Sequence, residues 1–244
     1  MNIPKSHPRK KSLEMRHKLT KGFQQGLVAQ AGLIAHGRGE AFDYLLGEKT
    51  TVIARKAEEA AVALMLLAEN PVISVNGNAA ALCAREIAML AGLVKAKIEV
   101  NLFYRSIERE KKIAVALKKA GVKKVYGVAC KPKKIAGLQS NRRLIDEALW
   151  NSDVVLVPLE DGDRTKALVK MGKKVIAIDL NPMSRTSKKA NITIVDNIVR
   201  AMPEMIKHAS KLKKTSKGKL KAILRNFSNK KNLKTMERLI RKSL

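Results

Sequence analysis

The segment DVVLVPLEDGDRTKALVKMGKKVIAID (residues 153–179) sets two apolar runs on either side of a helical stretch. VVLVP and VIAI are continuously apolar, as strands are when both faces are covered. Residues 164–171 between them read as a helix. Strand, helix, strand in that order is a βαβ unit, whose two strands run parallel. Outward from this unit the alternation repeats. VISVN (72–76) leads into an alanine-rich helix over 79–92. A strand in KIEVNLF precedes a helix over 107–120. VKKVYGV precedes a basic loop and a helix near 141–150, and NITIVD (191–196) precedes a helix over 199–210. The first seventy residues read as helices around 13–25, 40–46 and 52–68. The expected fold is therefore α/β: a Rossmann-like, mostly parallel sheet flanked by helices (71–210). An N-terminal helical region (1–70) packs on it, and a basic C-terminal extension (211–244) reads as a helix pair or a partly disordered tail.

Composition narrows the partners. The 244 residues carry 50 Lys and Arg against 21 acids, a formal charge of +29. Such a field favours phosphates, nucleotides or other polyanions. Residues 211–244 hold 13 basic residues and one acid. Aromatics are only 3%, so the core must be aliphatic. Cys83 and Cys130 both sit in apolar surroundings and read as two buried thiols of a reducing cytoplasm. No apolar run reaches the roughly 18 residues of a membrane span. The expectation is a soluble cytoplasmic protein.

In an open parallel sheet ligands meet the carboxyl ends of the strands, and the loops there carry the candidate chemistry. Asn76, Gly77 and Asn78 follow the first strand, either as amides that cradle phosphate at a helix start or as a turn with Asn78 as cap. Asp179, Asn181, Arg185 and Thr186 follow the fifth strand. An acid there suits ribose hydroxyls, and the cation beside a hydroxyl suits phosphate oxygens. Asp196 and Asn197 open the last helix, one as its cap and the other free for a ligand. Glu160, Asp161 and Asp163 could hold Mg²⁺ through water, or serve a turn with Asp163 as cap. AGLIAHGRGEAFDYLLGE (31–48) places His36 and Arg38 among glycines. Gly37 and Gly39 would bring bare backbone near a ligand, or simply take positive φ, with free amides from a helix beginning at Glu40.

NIPKSHPR, AGLIAHGRGEAFDYLLGE, SVNGN, VPLEDGDRT, IDLNPMSRTS and IVDNIVRAMP together resemble the archaeal phosphopantothenate synthetase (4-phosphopantoate–β-alanine ligase) family over roughly residues 2–209. The basic tail is longer than the family leads one to expect. The resemblance implies a homodimer with a Rossmann-like core that uses ATP to join 4-phosphopantoate to β-alanine, releasing AMP and pyrophosphate, in coenzyme A biosynthesis. Its ATP-binding positions fall on Arg16, Arg38, Asp179, Leu180, Asn181, Arg185, Thr186, Asn197 and Ile198, with Leu180 and Ile198 contributing backbone. Arg38, Arg185 and Mg²⁺ would neutralise two approaching anions. His36 is the candidate to take the β-alanine proton. Asn76, Gly77 and Asn78, or the basic loop over 131–134, would meet the substrate phosphate.

Two other functions compete. Nucleic-acid binding would use the basic surface and tail, but aromatics for base stacking are scarce and no recognition signature appears. A nicotinamide-dependent oxidoreductase would need the glycine fingerprint this chain lacks.

Overall fold

A computed structural model describes residues 3–159 and 161–243. Among these the strands are, in chain order, β1 (Pro71–Val75), β2 (Lys97–Val100), β3 (Val125–Tyr126), β4 (Lys133–Lys134), β5 (Leu144–Ile145), β6 (Val154–Pro158), β7 (Lys174–Ile178) and β8 (Ile192–Ile194). The helices are α1 (Lys10–Gln24), α2 (Gln30–Leu45), α3 (Val52–Leu67), α4 (Gly77–Val94), α5 (Ile107–Lys119), α6 (Glu147–Trp150), α7 (Gly162–Lys170), α8 (Arg185–Lys189), α9 (Ile198–Leu212), α10 (Lys217–Arg225) and α11 (Asn229–Lys242). Six strands form one sheet in the order β3-β2-β1-β6-β7-β8, every pair parallel. This is the doubly wound order, whose direction reverses between β1 and β6 and opens a crevice there.

The apolar runs work as expected because side chains alternate across a strand. Val155, Val157, Val175 and Ala177 enter one apolar layer with Leu149 and Leu168. Val154, Leu156, Ile176 and Ile178 enter the other, with Ala57, Met65, Ile87 and Met202. Helix α4 is, among the described residues, the one long and apolar enough to cross a membrane, and 56% of it is buried. It packs against α9, α5 and α1 and is a core helix.

Two expectations change. Residues 131–150 form no long helix: β4 and β5 pair antiparallel, a tight 3₁₀ turn lies between them, and α6 is a single turn. Strands this short contain no readable period. Helix α2 does not begin at Glu40. It runs unbroken through Gly37 and Gly39, neither of which has positive φ, so the amides there are helical rather than free. Each glycine costs such a helix about 1 kcal/mol, and tertiary contacts override that cost. The Asn78 Nδ2 donates to the Gly32 carbonyl at 2.8 Å. At the far end Asp43, 1% exposed, is gripped by Arg200.

Arg200 is the centre of that grip. It donates to both Asp43 oxygens and to Asp196 from Nε (2.9 Å) and Nη2 (2.6 Å). Thr50 donates to Asp196 at 2.6 Å, and the Asn197 amide nitrogen Nδ2 donates to Asp43 at 2.9 Å. Asp196 is thus fully engaged and not free for a ligand. Beside this cluster, on α3, lies Glu58, completely buried, with no hydrogen-bond partner among the described residues on either carboxyl oxygen. Burial first, then the charges of Asp196 and Glu204, push its carboxyl up to about 8.

The basic tail is a helix pair packed on α3, and α11 also covers the sheet's edge. Asn229 accepts from the Thr193 N–H at 2.9 Å. Asn232 donates to the Thr193 carbonyl at 2.7 Å. Two asparagines three residues apart thereby replace a missing neighbour strand for β8. Further along α11, Met236 and Ile240 join Leu46, Leu180 and Val195 in a small apolar cluster. Ser243 donates to the Leu45 carbonyl at 2.7 Å, and the Thr51 hydroxyl meets the Met236 sulfur at 3.5 Å.

Replacing Asn229 and Asn232 together by alanine should lower unfolding stability by about 2–4 kcal/mol, two buried backbone groups losing their partners. An unchanged denaturation midpoint would refute the edge role. Glu58 supplies a second test. Its folded pKa lies above the unfolded one, so the stability it contributes is full below about 4.5 and is lost as pH rises through about 8. Glu58→Gln should therefore gain little at pH 5 and progressively more toward pH 9, up to a few kcal/mol. An equal gain at both pH values, read from thermal melts, would contradict this.

Candidate active site at the strand ends

The β1/β6 crevice is a cleft of ≈ 380 Å³ roofed by α2. His36 and Arg38 line it from α2, and Asn76, Gly77 and Asn78 from the start of α4. Asn101, Leu102, Phe103 and Tyr104 line it from the segment after β2, with Arg109 from α5. The cap of α4 is Asn76, not Asn78: its Oδ1 accepts from the Ala79 N–H at 3.0 Å. Its Nδ2 spans the crevice to the carbonyls of Pro158 (2.9 Å) and Leu159 (3.1 Å). The same side chain therefore starts the helix and fixes the width of the cleft. A Cβ on Gly77 would stand 2.2 Å from the Leu27 carbonyl oxygen, so only glycine lets the α1–α2 connection pass. With both asparagine side chains engaged, the first-turn amides of α4 are what this turn can offer an anion.

The second neighbourhood adjoins the first at the ends of β7 and β8. The Asp179 carboxylate accepts from the Asn181 N–H at 2.9 Å and the Ser184 hydroxyl at 2.5 Å. Burial raises its pKa; Ser184, Asn181, Ser187 and the nearby Arg38 guanidinium oppose the rise. Leu180 points into the apolar cluster under α2, and a Cβ on Gly39 would lie 3.5 Å from it. Thr186 is buried on α8. Arg185 is 71% exposed and pairs with Asp163. Asn197 caps α9 through its Oδ1, and Ile198 is buried beside it.

Arg38 belongs to both neighbourhoods, lining the cleft and acting on Asp179. Arg16 lies on α1, where its Nε donates to Glu40 at 2.9 Å. Glu40 also accepts from Ser12 at 2.7 Å and stands 4.0 Å from His36. Burial, more than Arg16, lowers the His36 pKa, with Glu40 opposing. Its Nε2 is buried without a partner. A neutral imidazole facing a cleft is able to accept a proton.

The acidic loop behaves differently from the Mg²⁺ expectation. Glu160 lies outside the described residues. Asp161, not Asp163, caps α7, and Arg142 binds Asp161 (2.9 Å) and Asp163 (3.3 Å). No group of three or more metal-binding side chains occurs among the described residues. Asp161 and Asp163 are instead engaged by arginines. The basic loop over 131–134 does not line the cleft: Lys133 lies over the Trp150 ring instead. Both cysteines are free; Cys83 is buried and its thiol pushed up to about 12, while Cys130 is only partly covered. Sequence reasoning placed ligands at the carboxyl ends of the strands but did not single out Asn101, Phe103, Tyr104, Arg109 or Arg142. The available signal was FY, an adjacent aromatic pair at a strand end in a chain with 3% aromatics.

Residues 53–243 match the family model of phosphopantothenate/pantothenate synthetase, so the basic tail lies within the family's span. A chain described as 4-phosphopantoate–beta-alanine ligase from Thermococcus onnurineus (strain NA1) is 54% identical over 235 residues, 96% of this chain and 90% of its own. One of the same description from Thermococcus kodakarensis is also 54% identical over 235 residues, with the same coverage. A third, from Methanosarcina mazei, is 51% identical over 233 residues, covering 95% and 91%.

Proposed function

Because this chain belongs to the phosphopantothenate/pantothenate synthetase family, we propose that it uses ATP to join 4-phosphopantoate to β-alanine. The products are 4′-phosphopantothenate, AMP and pyrophosphate, on the route to coenzyme A. The observation that carries this reading is agreement with 4-phosphopantoate–beta-alanine ligases at more than half of the aligned positions, along nearly the whole chain.

In this reading the carboxylate of phosphopantoate attacks the α-phosphorus of ATP, and pyrophosphate leaves. The β-alanine nitrogen then attacks the acyl carbon, the acyl C–O bond breaks and AMP leaves. The nitrogen sheds two protons, one before attack and one on collapse to the amide. The first step brings two anions together, which demands cations held in place beforehand. Arg38 suits that task, since it stands between the cleft and Asp179. Arg185, exposed on its partner Asp163, can turn to a phosphate. Arg16 would complete the set from α1. Asp179 and Asn181 receive the ribose, their geometry held by Ser184. Leu180 and Ile198 offer backbone, and Thr186 and Asn197 complete the nucleotide rim. The α4 amides at Gly77 and Asn78, with Asn76 holding the turn, take the phosphate of phosphopantoate. His36 takes the amine proton; burial favours its neutral ring, and its unpartnered Nε2 supports this. Mg²⁺ would travel with the triphosphate, largely on phosphate and water oxygens. Homodimer formation is part of the reading. Ile34 and Tyr44, both over 70% exposed on α2, are apolar side chains suited to such a contact.

Incubation with ATP, Mg²⁺, 4-phosphopantoate and β-alanine should yield AMP and pyrophosphate in equal amounts. ADP and phosphate would instead indicate an acyl phosphate and overturn the adenylate route. Arg38→Ala and Asp179→Ala should each raise the KM for ATP about tenfold or more. Unchanged kinetics in both would displace the nucleotide from this rim.

A further inference from the structure

Two side chains that line the cleft each keep a buried polar atom, of opposite kind, without a hydrogen-bond partner among the described residues. Asn101 is 3% exposed at the end of β2. Its Nδ2 faces Oε1 of Glu99 (3.3 Å) and the Glu99 carbonyl (3.5 Å). The Glu99 carboxylate is already fixed as an acceptor by the N–H groups of Asp146 (2.8 Å) and Leu149 (2.7 Å). That orients the amide, since only its NH₂ can face two acceptors. Oδ1 is left as a buried acceptor without a donor. Arg109 presents the converse. Its Nη1 donates to the Tyr104 carbonyl (2.5 Å) and its Nη2 to the Leu27 carbonyl (3.4 Å). Its Nε is buried with no acceptor. Both residues line the same cleft, together with the apolar Leu102 and Phe103.

Buried polar atoms without partners cost free energy, and where such atoms line a cleft a ligand can complete them. An orphan acceptor and an orphan cationic donor in one cleft match a zwitterion. A phosphate matches less well, because its oxygens would face the Asn101 oxygen. We infer that this part of the cleft binds the acyl-accepting amine, a short zwitterionic amino acid. Asn101 Oδ1 receives its ammonium group, Arg109 its carboxylate, and Leu102 and Phe103 its methylenes. The inference rests on the reading of the chain as an AMP-forming ligase. It gives Asn101 and Arg109 substrate contacts that leave ATP and phosphopantoate untouched. Neutral His36, whose Nε2 is the third unpartnered atom in the cleft, is then available to the ammonium.

The two half-reactions separate the possibilities. Phosphopantoate-dependent exchange of labelled pyrophosphate into ATP requires no amine. Asn101→Ala and Arg109→Gln should retain exchange, with KM values for ATP and phosphopantoate within about twofold of the parent enzyme. The KM for β-alanine in amide formation should rise roughly ten- to a hundredfold. Arg109→Gln should also lose the parent's preference for β-alanine over β-alaninamide, a change that general loosening of the fold would not produce. Loss of exchange, or a raised phosphopantoate KM, in the folded variants would assign these residues to the acid substrate and overturn the inference. So would an unaltered β-alanine KM in both. If Asn101→Ala does not fold, Arg109→Gln and its amide discrimination decide alone. A parent protein that neither exchanges pyrophosphate nor forms AMP would mean that the ligase reading itself has failed.

Discussion

The grip of Arg200 on Asp43 and Asp196 is the constraint on which the candidate site depends. One guanidinium fastens the end of α2 to the first turn of α9, with Asn197 adding a hydrogen bond. Helix α2 is thereby laid across the carboxyl ends of the strands, bringing His36 and Arg38 above the crevice. Buried ion pairs seldom add much net stability, because desolvation offsets the attraction. Breaking one partner is costly all the same, since a buried charge is then left alone. The arrangement therefore contributes mainly a unique placement of α2, which is what a site assembled from separate segments requires.

Much of this was legible in the sequence, and the physical reason is simple. A strand buried on both faces must be apolar at every position, so VVLVP and VIAI announce themselves. An acid directly after such a run, as at Asp179, stands out against the apolar background. What could not be read depends on distant contacts. Nothing local tells that α2 continues through Gly37 and Gly39. The Asn78 contact to Gly32 and the Arg200 grip on Asp43 come from residues 46 and 157 positions away in sequence. That Asn76 rather than Asn78 caps α4 depends on the same kind of contact, since Asn78 is drawn to Gly32. Nothing local marks Asn101, because its significance lies in an atom left over after Glu99 is satisfied.

Charge in this molecule is abundant but not loose around the site. Arg142 and Arg185 both rest on Asp163, Arg16 on Glu40, and Arg200 on Asp43 and Asp196. Arginines held on carboxylates are already oriented in space. An arriving anion then exchanges one oxygen partner for another rather than immobilising a free side chain, which lowers the entropic cost of binding. The net charge of +29 acts at longer range, drawing multiply charged substrates toward the protein before any specific contact forms.

The asparagine cover on β8 has a bearing on how the molecule comes into being. The residues that shield this strand lie more than thirty positions downstream of it, and the same helix reaches back to Leu45 and Thr51. During synthesis the sheet can assemble while its outer border is still open to any other extended chain. That hazard lasts until α11 has emerged and docked. Segments early and late in the polypeptide are thus stitched together in the final event, and the strand-end rim above Leu180 acquires its floor only then.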